Sequence, residues 1–188
     1  MSRWEPDARG RLERAAFALY GERGFDHTTV AEIAERAGLT ERTFFRHFAD
    51  KREVLFAGAS DLREVLVGAV ADAPGSLAPI EAVAAGLEAV SVQFRGRREG
   101  ARQRQAIIAA HAELQERELI KLAALSAALA DALRGRGVRE PDASLAAEAG
   151  IAVFRVAFDR WIADANQQGF PQLVRASLDR LKAVTGGA

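Results

Sequence analysis

Residues 28–51 read TTVAEIAERAGLTERTFFRHFADK. Thr29-Val30-Ala31-Glu32 has the spacing of a capping box, in which a threonine hydroxyl covers an orphan N–H and a glutamate three residues on reaches back. A helix is therefore predicted from Thr29 to Arg36. Ala37-Gly38-Leu39 follows as a tight turn, with glycine at the position that accepts positive φ without a Cβ penalty. A second helix is predicted from Thr40 to about His47. Ile33, Ala34, Ala37, Leu39, Phe44 and Phe48 fall on the facing sides of the two helices and are expected to form the small core that fixes their angle. Two helices joined by so short a turn make a helix-turn-helix.

The geometry of that motif suggests chemistry. The second helix enters the DNA major groove, and its N-terminal residues meet base edges. It offers Glu41, Arg42, Thr43, Phe45, Arg46 and His47 outward. Arg42 suits a guanine through O6 and N7, the commonest specific contact. Thr40, Thr43, His47 and Lys51 suit phosphates, which position a protein without specifying sequence. Glu41 also reads as a first-turn residue favoured by the helix dipole. Phe45 is divided between core and groove. With Thr28 and Thr29, these residues are the candidate DNA-binding set.

Outward from this stretch, a first helix is predicted over residues 7–23. Leu12, Ala15, Ala16, Leu19 and Tyr20 recur on one face, and Gly24 closes it. On the other side, Asp50 is placed to cap a fourth helix running to about residue 71. The Pro74-Gly75-Ser76 stretch is the clearest break in the chain. A fifth helix follows Pro79 and runs to about Phe94, where Arg95-Gly96-Arg97-Arg98 interrupts. Further helices are predicted over about 98–112, 114–134, 142–168 and from Pro171 onward. The fold class is all-α with about nine helices, in two domains: a reader over 1–50 and a helical body over 51–188.

The run Arg11-Leu12-Glu13-Arg14-Ala15-Ala16, then Gly24-Phe25-Asp26-His27-Thr28-Thr29-Val30, Ile33-Ala34, Ala37-Gly38-Leu39-Thr40, Thr43-Phe44-Phe45-Arg46-His47-Phe48 and Lys51, resembles the DNA-binding domain of the TetR family. The resemblance covers residues 11–55, about a quarter of the chain. It implies an all-α homodimer whose first three helices read DNA and whose remaining helices hold a ligand pocket and the dimer face. One departure is Phe45, where the family often has tyrosine; the hydroxyl contact to phosphate is lost.

For the body, the resemblance implies dimerisation through the last two helices, with Leu173, Leu178 and Leu181 among the apolar positions. The segment 151–162 is apolar almost all round, so a helix there needs cover on more than one side. Candidate ligand-binding residues are Leu87, Val90, Phe94, Ile107, His111, Leu125, Phe154, Phe158 and Trp161. The alternative for each is plain core packing. The arginines at 95, 97, 98, 102 and 104 are either a solvated charge run or a pocket mouth for an anionic head group such as an acyl-coenzyme A. The expected function is a ligand-responsive transcriptional regulator, a repressor released from a palindromic operator by an apolar or amphipathic small molecule. The fourth helix, which joins reader to body, is the expected lever.

Composition narrows the rivals. The chain has 188 residues, with 26 basic and 26 acidic side chains. Balanced charge argues against a coating DNA binder but not against a site-specific one, which needs only local positive surface. There is no cysteine and only three histidines, at 27, 47 and 111, without metal-ligand spacing. No glycine-rich phosphate loop follows a strand. An enzyme is therefore not expected, nor a cofactor or metal. A small-molecule carrier explains the apolar body but leaves Arg42, Thr43, Arg46 and Lys51 without a role. Residues 1–7 lack an apolar leader, and no apolar run reaches membrane-spanning length. The expected setting is cytoplasmic, with double-stranded DNA, a small-molecule effector and a second copy of the chain as partners.

Overall fold

A computed structural model describes residues 7–186. Residues 1–6, where the absence of a leader was read, lie outside the described residues, as does Gly187 at the expected end of the last helix. Among the described residues are nine α-helices, two short 3-10 turns and no strand. No helix among them is long and apolar enough to cross a membrane. The chain packs as two compact units. One runs to Gly58 and also takes in Gln103–Ala110; the other holds Ala59–Arg102 and the residues from His111 onward.

The first unit contains α1 (Ala8–Arg23), α2 (Val30–Arg36), α3 (Glu41–His47) and a 3-10 turn at Glu53–Phe56. The predicted face of α1 is its buried face: Leu12, Ala15, Ala16, Leu19 and Tyr20. Gly24 ends it at φ 85° and Gly38 makes the helix-turn-helix turn at φ 66°. Helix α1 packs on α2, α3 and the 3-10 turn, which contribute Ile33, Ala34, Phe44, Val54, Leu55 and Phe56 to the buried residues, with Phe48 just past α3. The Gln103 side chain donates to the Phe17 carbonyl at 3.0 Å, and Arg104 to the Leu55 carbonyl at 2.6 Å with its guanidinium over the Phe56 ring. Those bonds explain why residues 103–110 belong to this unit.

The single fourth helix expected from residue 51 is divided. Asp50 caps as predicted, its Oδ1 accepting from the Glu53 N–H at 3.0 Å. The chain then makes only the 3-10 turn before α4 proper begins at Ala59. Gly58, a poor helix former, stands at the junction.

The second unit contains α4 (Ala59–Asp72), α5 (Pro79–Ser91), a 3-10 turn at Val92–Phe94, α6 (Arg98–Ala109, shared with the first unit at its C-terminal end), α7 (Ala112–Gly135), α8 (Asp142–Ile162) and α9 (Phe170–Thr185). Helix α5 lies at its centre, packed on α4, α8 and α9. Gly86 allows the close approach: a Cβ there would lie 3.0 Å from the Leu66 carbonyl oxygen and 2.8 Å from a Val70 methyl. The Arg136 guanidinium gathers the carbonyls at the end of α4, donating to Val70 at 3.1 Å, to Pro74 at 2.8 Å and to Ala73. It thereby satisfies acceptors that a helix C-terminus leaves unpaired.

Helix α8 stops at Ile162, six residues short of the predicted end. Asn166 is the reason. Its Nδ2 donates to the Trp161 and Gln168 carbonyls at 3.2 and 2.9 Å, and its Oδ1 accepts from the Gln168 N–H at 2.9 Å. A side chain that offers the backbone these local partners outcompetes the helical ladder.

Candidate nucleic-acid interface

The interface is built on α2 and α3. The capping box at Thr29 is fully formed: its hydroxyl accepts from the Glu32 N–H at 3.2 Å, and the Glu32 carboxylate accepts from the Thr29 N–H at 2.9 Å. These bonds to Thr29, chiefly, hold the Glu32 carboxyl below its ordinary pKa. At α3 only the hydroxyl half is present, Thr40 accepting from the Thr43 N–H at 3.2 Å. Two ion pairs tie α1 to α2. Arg23 meets Glu32 at 2.6 Å, and Arg36 closes on both oxygens of Glu22 at 2.9 and 2.8 Å.

Helix α3 has two opposite faces. Phe44 and Phe48 are buried, and their rings lie 5.5 Å apart. Glu41, Arg42, Phe45 and Arg46 are exposed, with Phe45 at 55%. Positions 42, 45 and 46 are three and four residues apart, so they share one face. Among the described residues, no ion pair or hydrogen bond engages the guanidinium group of Arg42 or Arg46. Thr43 and His47 are half-buried at the edge of this face. The His47 Nε2 is buried without a partner among the described residues.

The remaining candidates have structural work. Thr28 is buried, and its hydroxyl donates to the Gly24 carbonyl at 2.8 Å. Lys51 donates to the carbonyls of Phe25, Asp26 and Thr28 at 2.8, 3.2 and 2.9 Å, with its ammonium 4.6 Å from the Phe25 ring centre. An ammonium has three protons, and all three are taken. Lys51, the residue expected on a phosphate, pins the loop between α1 and α2 in this structure. The Tyr20 hydroxyl donates to the Lys51 carbonyl at 2.8 Å. Burial, and then the nearby Asp50 carboxylate, push its phenol well above the ordinary pKa, so it stays a neutral donor. Sequence spacing gave no sign of this strut, because the residues that make it lie 23 to 31 positions apart.

In the second unit, Phe94, Phe154, Phe158 and Trp161 come together, joined by Phe170, which had not been singled out. Phe94 lies 4.6 Å from Phe170, 5.5 Å from Trp161 and 6.0 Å from each of Phe154 and Phe158, centre to centre. Leu87, Val90 and Leu125 are in the same buried core. Ile107 lies in the stretch that packs with the first unit, and His111 precedes α7 as its cap residue. Neither belongs to the buried core cluster that holds Leu87, Val90 and Leu125.

Comparison with known proteins matches two stretches of the chain. The family model described as bacterial regulatory proteins, tetR family, matches residues 13–57, and the MftR C-terminal domain matches residues 77–186. The HTH-type transcriptional regulator TcmR of Streptomyces glaucescens is 38% identical over 87 residues, which cover 46% of this chain and 38% of TcmR. The HTH-type transcriptional repressor KstR2 of Mycobacterium tuberculosis is 43% identical over 47 residues, 25% of this chain and 24% of that one. The chain thus spans less than half the length of these curated relatives. Among solved structures, the triclosan complex of SmeT, repressor of the Stenotrophomonas maltophilia multidrug efflux pump SmeDEF, has TM-score 0.66 at 21% identity, covering 94% of this chain and 90% of that one. At that identity the likeness is one of fold. The body match alone takes in more than half the residues, and the reader match adds the helix-turn-helix: the chain belongs to the TetR family of bacterial regulatory proteins, a family of regulators and not of enzymes.

Proposed function

We propose that the chain is a sequence-specific transcriptional repressor that binds a near-palindromic operator as a homodimer and is released by an apolar or amphipathic small molecule. The observation that carries the reading is the division of α3, with Phe44 and Phe48 anchored inside and Arg42, Phe45 and Arg46 outside, the two guanidinium groups without a partner among the described residues. Arg42 reads a guanine edge. Thr40, Thr43 and His47 hold phosphates, and Glu41 and Thr29 flank them. Phe45 lies against a thymine methyl or the sugar edge.

The dimer would use α8 and α9. Leu145, Ala152 and Val156 form an exposed stripe along α8 at helical spacing, with Leu145 64% and Val156 52% exposed. A stripe of this kind favours a two-fold partner. Two readers must then meet major grooves about 34–36 Å apart, or a multiple. A ligand in the body acts by preferring the dimer whose readers do not match that spacing, and it shifts the equilibrium only by its differential affinity for the two forms. The chain passes between its two units at 58–59, 102–103 and 110–111, and these crossings are the routes open to such a signal. Action on DNA sets the protein in the cytoplasm.

Gel-shift titration beside light scattering tests the reading. An inducing molecule should lower operator affinity while the protein stays dimeric. Release by conversion to monomers would sink the mechanism.

A further inference from the structure

The five arginines between 95 and 104 do not act as one cluster. Arg102 pairs with Glu99 at 2.9 Å and with Asp164. Arg104 is spent on the Leu55 carbonyl and the Phe56 ring. Arg97 is exposed on the turn. Arg95 and Arg98 remain, and both line a cleft of about 380 Å³ in the second unit. Arg98 gives one N–H to the Ala163 carbonyl; the Arg95 side chain makes no hydrogen bond or ion pair among the described residues, its backbone N–H donating to the Val92 carbonyl at 3.3 Å. The apolar wall of this cleft is Phe94, Trp161 and Phe170, and Gln172 adds an amide at its edge. No lining residue is acidic.

We propose that this cleft is a binding site for a flat, aromatic carboxylate, with its ring against Phe94, Trp161 and Phe170 and its anion between Arg95 and Arg98. The volume is at the small end of the range for ligand sites, about 300–1,000 Å³. It fits a one- or two-ring molecule and not a long chain. Aromatic walls favour a flat partner through offset and edge contacts. A guanidinium binds a carboxylate through paired, charge-assisted bonds. With two cations and no lining anion, a neutral or cationic analogue of the same shape has less to gain. Phe94 stands on the 3-10 turn between α5 and α6, half-buried at the centre of the ring cluster, so a bound ring meets a residue in contact with four other aromatic side chains. The proposal rests on the ligand-responsive reading above and names the ligand class for it.

The test is calorimetry on the full chain with 2-naphthoate and with its neutral analogue 2-naphthamide. Saturable binding of naphthoate, one per chain, with the amide about tenfold weaker or more, is expected for a charge-assisted contact. The variant R95E, at a side chain with no bond to lose, should weaken naphthoate by a similar factor and leave the amide unchanged. R98A should do the same, with its thermal midpoint checked because the Ala163 bond is lost. Absence of saturable naphthoate binding, equal affinity for the two probes, or an unchanged R95E would each overturn the proposal. Gel shifts with and without naphthoate separate this site from the reading it rests on. Naphthoate that binds in the Arg95-dependent way without changing DNA affinity upholds the cleft and removes ligand release. DNA release by other small molecules, with no naphthoate binding, removes the cleft and leaves ligand release standing.

Discussion

The ammonium of Lys51 donates to the carbonyl oxygen of Thr28 at 2.9 Å. With its bonds to Phe25 and Asp26, it closes the loop that delivers Thr29, the cap of α2, to its place. A residue at the edge of the motif thus supports the reader from within.

Replacing that ammonium tests its role. Lys51→Met should lower the stability of the chain by about 1–3 kcal/mol, the scale for removing one partner from charge-assisted hydrogen bonds. Arg42→Ala, at an exposed side chain without partners, should stay within about 0.5 kcal/mol. Urea midpoints on the two variants decide. If Lys51 served only phosphate, both variants would unfold as the parent does.

Thr29→Ala removes the hydroxyl, which accepts from the Glu32 N–H at 3.2 Å and donates to the Glu32 carboxylate at 2.9 Å, and should cost about 1 kcal/mol. The pH dependence has a definite sign. Glu32 is held below its ordinary pKa, so its folded form binds protons less readily than the unfolded chain. Its contribution is present above the ordinary carboxylate range and is lost as pH falls through the depressed value. The stability gap between parent and Thr29→Ala should therefore narrow on acidification. A gap that stayed constant into strong acid would assign the cap to the hydroxyl alone.

Gly86→Ala tests the tight packing of α5 on α4. Alanine is the better helix former by about 1 kcal/mol, yet its methyl would press on the Leu66 carbonyl at 3.0 Å and on Val70 at 2.8 Å. Overpacking of this sort costs about 1–3 kcal/mol, so a net loss in thermal midpoint is expected. A gain would mean that α4 yields easily at this point.

Much of this was legible in the sequence, for identifiable reasons. Local signals gave the helices: the Thr29–Glu32 box, the glycines at 24 and 38, and the 3.6-residue face of α1 all act within a few residues. What was missed acts at a distance. Lys51 on the Phe25–Thr28 carbonyls and Arg136 on the end of α4 are bonds across 23 to 66 residues. No periodicity records them. The early end of α8 was local, but it depended on which of two local preferences Asn166 would follow. The aromatic side chains were found as a list; only packing showed that Phe94 is their centre and that Phe170 completes them.

Phe45 separates stability from recognition. At 55% exposure it contributes little to folding, so Phe45→Ala should leave the thermal midpoint nearly unchanged. Operator affinity should fall by on the order of 1 kcal/mol if the ring is buried against DNA. Phe45→Tyr should bind at least as tightly as the parent, since a hydroxyl is added toward the phosphates. A variant that melts early with intact DNA binding would place Phe45 in the core instead.

Selection of binding sites from a randomised duplex pool, by the parent and by Arg42→Ala, addresses DNA reading by α3 most directly. The parent should enrich a site with two-fold symmetry. Arg42→Ala should enrich the same site with guanine preference lost at one position in each half, a discrimination of about 1–3 kcal/mol, and with the other positions unchanged. A parent that enriches no sequence, or an Arg42→Ala variant with identical preferences, would contradict it.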